Sequence, residues 1–91
     1  MQVKLYASLR QSAGVKMLEV DIQPGSTIRE VLVEVTRRHP ILEKSIWDGE
    51  GILSRNAHVF INSENIHHLS GLDTPVQMDD HVDIFPPLVG G

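Results

Sequence analysis

The sequence predicts an α+β fold in which one main helix packs across one face of a mixed sheet. Three observations carry this. Short stretches near both ends alternate apolar and polar residues, the period of half-buried strands. One segment between them repeats apolar residues at i, i+3, i+4 and i+7, an amphipathic helix. The chain has 91 residues, 41% of them hydrophobic and 22% charged, which suits one domain with a single modest core.

In chain order, Val3, Leu5 and Ala7 alternate with Lys4 and Tyr6, giving a first strand. Leu9 to Gly14 reads as a connection with room for one helical turn. Leu18, Val20 and Ile22 alternate with Glu19 and Asp21, a second strand that Pro24-Gly25 stops. Thr27 with Glu30 three residues later is a capping-box pattern at a helix start. Ile28, Val31, Leu32 and Val35 then form the apolar stripe. The helix should finish near His39, because Pro40 disfavours helical geometry in the residue before it. Arg37, Arg38 and His39 fall in its last turn, where cations offset the helix dipole.

Ile41 to Trp47 suits a short second helix, with Trp47 as a partly buried cover for the main helix end and Asp48 to Gly51 as a turn. Val59 and Ile61 alternate with His58, Phe60 and Asn62, a third strand. Asn62 to Asn65 is expected to turn, Ile66 to Leu69 to return as a short strand, and Gly71 to Pro75 to form a loop. Asp79-Asp80 suits turn chemistry better than an acid–base pair. Val82 and Ile84 alternate with Asp83 and Phe85 in a last strand, ended by Pro86-Pro87 because proline cannot donate to a ladder.

Composition excludes several functions. Twelve acidic against eight basic side chains leave a net charge of −4, and the basic residues are dispersed, which argues against a nucleic-acid footprint. No apolar stretch is long enough for a membrane span and no signal-peptide pattern is present, so a cytoplasmic location is expected. There are no cysteines, hence no thiol nucleophile, persulfide, disulfide or thiolate metal site. Five histidines include the pair His67-His68, but neighbours in a strand point to opposite faces and no carboxylate completes a motif, so no metal site is expected.

The last eight residues, Ile84 to Gly91, read IFPPLVGG. Read as a free C-terminus, the six residues after Phe85 reach about 20 Å when extended. Pro86-Pro87 stiffens the root of this tail, and Leu88 and Val89 offer apolar handles. Gly90 and Gly91 lack side chains and can thread a channel too narrow for a Cβ. The tip carries a carboxylate, a poor electrophile until ATP converts it to an acyl adenylate. The activated carbonyl can then accept sulfur or an amine, and the tail itself does not choose between them. Strand parity adds a second hint. If Val59, Ile61, Val82 and Ile84 face the helix, Phe60 and Phe85 both turn to the other face, where an exposed aromatic pair would dock a partner. The opposing reading is a strand out of register, or a pair covered by the 41–47 segment.

The layout resembles the β-grasp of ubiquitin-like proteins. The run Asn62 to Asn65, Ile66, Leu69, Gly71 to Pro75, Asp80, Val82 and Ile84-Phe85-Pro86-Pro87 through Gly90-Gly91 resembles the small subunit of molybdopterin synthase, the MoaD family, in its archaeal-type branch. Asp79 and Ser63-Glu64 stand where that family commonly has glycine, and aspartate tolerates the left-handed geometry such a turn needs. The chain is longer than typical members around Ile41 to Asn56. The resemblance implies a β-grasp domain over residues 1–85 and an extended tail over 86–91. It implies a sulfur carrier that is no enzyme on its own and binds no cofactor stably. An E1-like adenylyltransferase would adenylate Gly91 with ATP, a sulfurtransferase would convert it to a thiocarboxylate, and the tail would enter the large subunit of molybdopterin synthase to give sulfur to precursor Z. Gly91 would carry the reacting group and Gly90 would give passage. Pro86, Pro87, Leu88 and Val89 would position the tail, and Phe60 and Phe85 would help dock partners. The same resemblance extends to archaeal modifiers joined to target lysines through the terminal glycine, and to carriers for other sulfur pathways such as tRNA thiolation.

Overall fold

The computed structural model describes residues 1–87. Its elements follow in the order β1 (Gln2–Leu5), α1 (Ala7–Ala13), β2 (Met17–Glu19), α2 (Ile28–Arg38), α3 (Glu43–Ile46), β3 (His58–Ile61), β4 (Glu64–Asn65) and β5 (His81–Phe85). The five strands form one sheet in the order β2-β1-β5-β3-β4. β1 and β5 run parallel at its centre and every other pairing is antiparallel. α2 lies across one face, so this is the β-grasp, ubiquitin-like architecture.

The apolar stripe of α2 decides the packing. Ile28, Val31, Leu32 and Val35 are completely buried, and they belong to one core with Val3, Leu5, Leu18, Val59, Ile61, Val82 and Ile84. Each such aliphatic side chain contributes roughly 1.5–3 kcal/mol by leaving water, and this layer supplies most of the fold's driving force. Leu42 and Ile46, from the Pro40–Leu42 turn and α3, close the core at its end. Trp47 is half-buried against that core and donates its indole N–H to Thr36 Oγ1 at 3.3 Å, as a cover for α2.

Besides the second strand, which ends at Glu19 and not at Ile22, four local expectations need correction. First, β1 stops at Leu5, and Ala7 opens a seven-residue helix where a strand end and a connection were expected. Leu9 is its buried anchor, and Gly14 ends it in the left-handed region (φ 76°), its N–H returning to the Arg10 carbonyl. Second, no capping box forms at Thr27, whose side chain bonds to no helical N–H. The Ile28 N–H instead donates to the Thr74 carbonyl at 3.0 Å, while Thr27 pairs with Pro75 as a β-bridge. The non-local segment thus satisfies the first N–H of the helix, not the Glu30 N–H that the Thr27 side chain was expected to accept from. Third, the returning strand is Glu64–Asn65, and Ile66–His68 is a 3-10 turn. A two-residue turn with positive φ at Asn62 (49°) and Ser63 (70°) reverses the chain earlier than expected. Asn62 stabilises it from both ends of its amide, donating to Asp80 Oδ1 at 2.8 Å and accepting from the His81 N–H at 3.0 Å. Fourth, Asp79 does not take left-handed geometry, since the only non-glycine residues with positive φ are Ala7, Asn62 and Ser63 among the described residues. The turn into β5 is instead closed by the Asp80 N–H on the Gln77 carbonyl and by the Asp80 carboxylate on the Gln77 N–H.

The end of α2 is as expected. Arg37 and Arg38 both bond the Glu34 carboxylate, and Arg38 also donates to the Glu19 carbonyl at the free edge of β2. The two arginines hold Glu34 well below the usual carboxylate range, to about 2, chiefly through the Arg37 and then the Arg38 hydrogen bonds. No helix among the described residues is long and apolar enough to cross a membrane.

Candidate functional site

The candidate site lies where β5 gives way to the tail. Val82 and Ile84 point into the core, so the alternation of the strand turns Asp83 and Phe85 to the opposite face. β3 repeats this, with Val59 and Ile61 buried and His58 and Phe60 half-buried on the outer side. The register pairs Val59 with Ile84 and His58 with Phe85, which places Phe60 one step diagonally from Phe85. The two rings meet edge to face, their centroids 5.6 Å apart at 87°. The 41–47 segment does not separate them, because Leu42 and Ile46 pack into the core on the other side of the sheet.

A third aromatic joins them that the residue-by-residue reading missed. Parallel pairing of Leu5 with Ile84 brings Tyr6 alongside Phe85, and the Tyr6 N–H donates to the Ile84 carbonyl at 3.2 Å. The rings of Tyr6 and Phe85 stack at 4.1 Å and 14°. The Tyr6 hydroxyl donates to Asp83 Oδ1 at 3.0 Å. Desolvation in this cluster, and then the hydrogen bond and negative charge of Asp83, push the phenol above its ordinary value. Tyr6 sits at outward parity beside Lys4, so the signal was present in the alternation. Only its neighbour was not.

These three half-buried rings form an apolar surface beside the point where the chain leaves the sheet. Pro86 is half-buried and Pro87 exposed, and both line a shallow cleft of about 230 Å³ with Ser8, Leu9, Lys44 and Asn56. Leu88, Val89, Gly90 and Gly91 lie outside the described residues. The remaining candidates do not converge here. His67 and His68 sit in a 3-10 turn, not in the strand from which their divergence was argued. No group of three or more histidine, aspartate or glutamate side chains suited to a metal occurs among the described residues. The described part of this site is thus an aromatic face on the outer side of the sheet beside the Pro86-Pro87 exit.

The ThiS family profile matches residues 3–91, almost the whole chain and including its last residues. The chain belongs to the ThiS family. Small archaeal modifier protein 1 of Haloferax volcanii is 30% identical over 91 residues, covering all of both chains. The solution structure of small archaeal modifier protein 1 from Methanosarcina acetivorans superposes with a TM-score of 0.87 at 34% identity, over 99% of this chain and 94% of that one. A chain of the Amycolatopsis orientalis BexX/CysO complex superposes with a TM-score of 0.83 at 28% identity, over 99% and 98%. This ThiS-family chain is thus a ubiquitin-like protein of the sulfur-carrier and modifier kind.

Proposed function

We propose that this protein is the sulfur carrier of a molybdopterin synthase. An E1-like adenylyltransferase joins the Gly91 carboxylate to ATP, releasing pyrophosphate and leaving an acyl adenylate. The terminal sulfur of a sulfurtransferase persulfide then attacks the acyl carbonyl and expels AMP, giving an acyl disulfide, and a second thiol of the partner enzymes reduces its S–S bond, releasing the thiocarboxylate and leaving a disulfide on the partner. The tail carries that sulfur into the large synthase subunit, where precursor Z accepts it. ATP belongs to the activating enzyme, and this chain binds no cofactor stably. The observation that carries the reading is the family match through Gly91 combined with the aromatic face at the tail root. Because the chain has no cysteine, its only plausible sulfur attachment point is the terminal carboxyl. Gly90 gives passage, Pro86, Pro87, Leu88 and Val89 direct the tail, and Phe60 and Phe85, with Tyr6, dock the partners.

A second reading has a specific observation in its favour. The end-to-end similarity to small archaeal modifier protein 1 supports transfer of the activated Gly91 carbonyl to lysine amines of other proteins. High-resolution mass spectrometry of the protein from its native host separates the two. The C-terminal peptide is examined for sulfur in place of oxygen, and lysines of other proteins for a remnant ending in Gly90-Gly91. A thiocarboxylate without adducts supports the carrier, adducts alone support the modifier, and both together mean one protein serves two ends. Neither product, in cells making molybdopterin, overturns the proposal. A chain shortened by Gly90-Gly91 should fold normally and give neither product.

A further inference from the structure

Where the chain leaves the sheet, Pro86 and Pro87 form one wall of the cleft of about 230 Å³. α1 supplies Ser8 and Leu9, α3 supplies Lys44 and Ser45, and the stretch before β3 supplies Asn56. Packing fixes these walls to one another. Leu9 of α1 and Ile46 of α3 are buried in the core. The Ser54 N–H bonds the Ile46 carbonyl at 2.8 Å, and the Asn56 N–H bonds the buried Ser54 hydroxyl at 3.1 Å. The cleft therefore exists before anything enters it, which lowers the ordering cost of binding. Lys44 is the only charged residue in its lining. Its side chain is exposed and forms no salt bridge among the described residues, although Glu43 and Glu50 line an adjoining cleft with it. Ser8, Ser45 and Asn56, all exposed, add hydroxyl and amide donors. One ammonium among neutral donors, with no carboxylate in the lining, suits a single anionic group.

The chain itself carries such a group within reach. Pro87 stands in the wall of the cleft, and four residues follow it in the sequence, Leu88 to Gly91. Fully extended, four residues reach about 13 Å. Gly90 and Gly91 have no Cβ, so the backbone near the tip can take the turn that brings the terminal carboxylate back to the wall. A tethered anion also loses little of the translational freedom that a separate ligand would lose on binding. We propose that this cleft is a resting site for the tip of the chain's own tail, with the Gly91 carboxylate on the Lys44 ammonium. The proposal rests on the reading of Gly91 as a free terminus that carries the reacting group, but not on whether sulfur or an amine is the acceptor. A thiocarboxylate is also an anion at neutral pH, so the same lysine serves the tip before and after loading. An exposed ion pair is weak, and a partner that takes the aromatic face and draws the tail into its active site displaces it easily. Between encounters the cleft keeps the reacting group against the protein that carries it.

The test compares ¹⁵N spectra of the full chain with those of a semisynthetic chain whose Gly91 ends in a carboxamide, a change that removes the charge and almost nothing else. Amidation should shift the amides of Ser8, Leu9, Lys44, Ser45 and Asn56. Raising salt from about 50 to about 500 mM should move the carboxylate form toward the same positions. In Lys44→Gln, a substitution at an exposed site, amidation should leave those five amides in place, and Lys44→Arg, which keeps the charge, should restore the response. Shifts confined to residues 88–91, or an equal response to amidation in Lys44→Gln, would each overturn the proposal. No activating enzyme or sulfur source is present in these samples. Failure of the resting site is therefore read separately from failure of the acyl chemistry, which mass spectrometry of the native protein reports.

Discussion

The two faces of the sheet are made from the same strands and do opposite work. Val82 and Ile84 of β5 disappear into an aliphatic layer beneath α2, whereas Asp83 and Phe85, between and after them, stand on an outer face only partly shielded from water. β3 divides in the same way between Val59 with Ile61 and His58 with Phe60. Between the strands and α2 the inner face is an aliphatic layer of branched side chains, with Trp47 packed at its end. The outer face gathers Tyr6, Phe60 and Phe85 into a cluster that a monomer does not need for its core. A period of two residues lets one short strand bury one side in the core and leave the other, with its aromatic rings, at the surface.

Substitutions should keep these roles apart. Leu32→Ala removes a completely buried side chain from the α2 stripe and should cost about 2–5 kcal/mol. Denaturant unfolding followed through the single tryptophan, Trp47, measures it. A loss below about 1 kcal/mol would mean that the inner layer is not the main source of stability.

Phe60→Ala should act the other way round. Loss of the edge-to-face contact should cost only about 1 kcal/mol of stability, but binding to the activating enzyme should weaken about 10- to 100-fold, as for an interface anchor. Calorimetric titration with that enzyme, beside an unfolding curve, reads both. Equal damage to stability and binding would erase the distinction between the faces.

Tyr6→Phe should do less, removing the Asp83 hydrogen bond for about 1 kcal/mol while keeping the ring stack. The phenol also gives a pH signature. Its folded pKa is raised above the unfolded value, so its contribution is complete below the unfolded value and is lost as pH climbs through the raised one. Because Tyr6 is the only tyrosine, phenolate absorbance should show it ionising later in the folded protein than in denaturant. Coincident titrations would remove the Asp83 bond from the account.

The smallest effect belongs to the surface of α2, on neither face of the sheet. Glu34 is depressed to about 2, so its stabilising contribution is present above the unfolded carboxylate value and is lost only as pH falls toward about 2. Glu34→Gln should leave stability near neutral pH almost unchanged, as exposed ion pairs usually do. Carboxyl NMR should place the wild-type midpoint near 2, and an ordinary midpoint would dissolve the arginine pair as its cause.

What the sequence by itself determined is what repeats locally. The stripe of Ile28, Val31, Leu32 and Val35, the stop at Pro40, and the alternation that turned Phe60 and Phe85 outward were all legible, because each depends only on the 3.6- or two-residue geometry of its own segment. What the tertiary structure decided is what depends on which distant segments meet. Tyr6 joined the aromatic cluster because β1 and β5 pair in parallel at one register. Thr27 pairs with Pro75, and the Ile28 N–H meets the Thr74 carbonyl, partners that lie far along the chain. The return strand began at Glu64, since Asn62 could clamp its turn to Asp80 and His81. The cleft lined by residues 22–25 and 75–78 exists only because those two segments, far apart in the chain, meet. Such pairings join residues far apart in the chain, and no local periodicity encodes a partner's register.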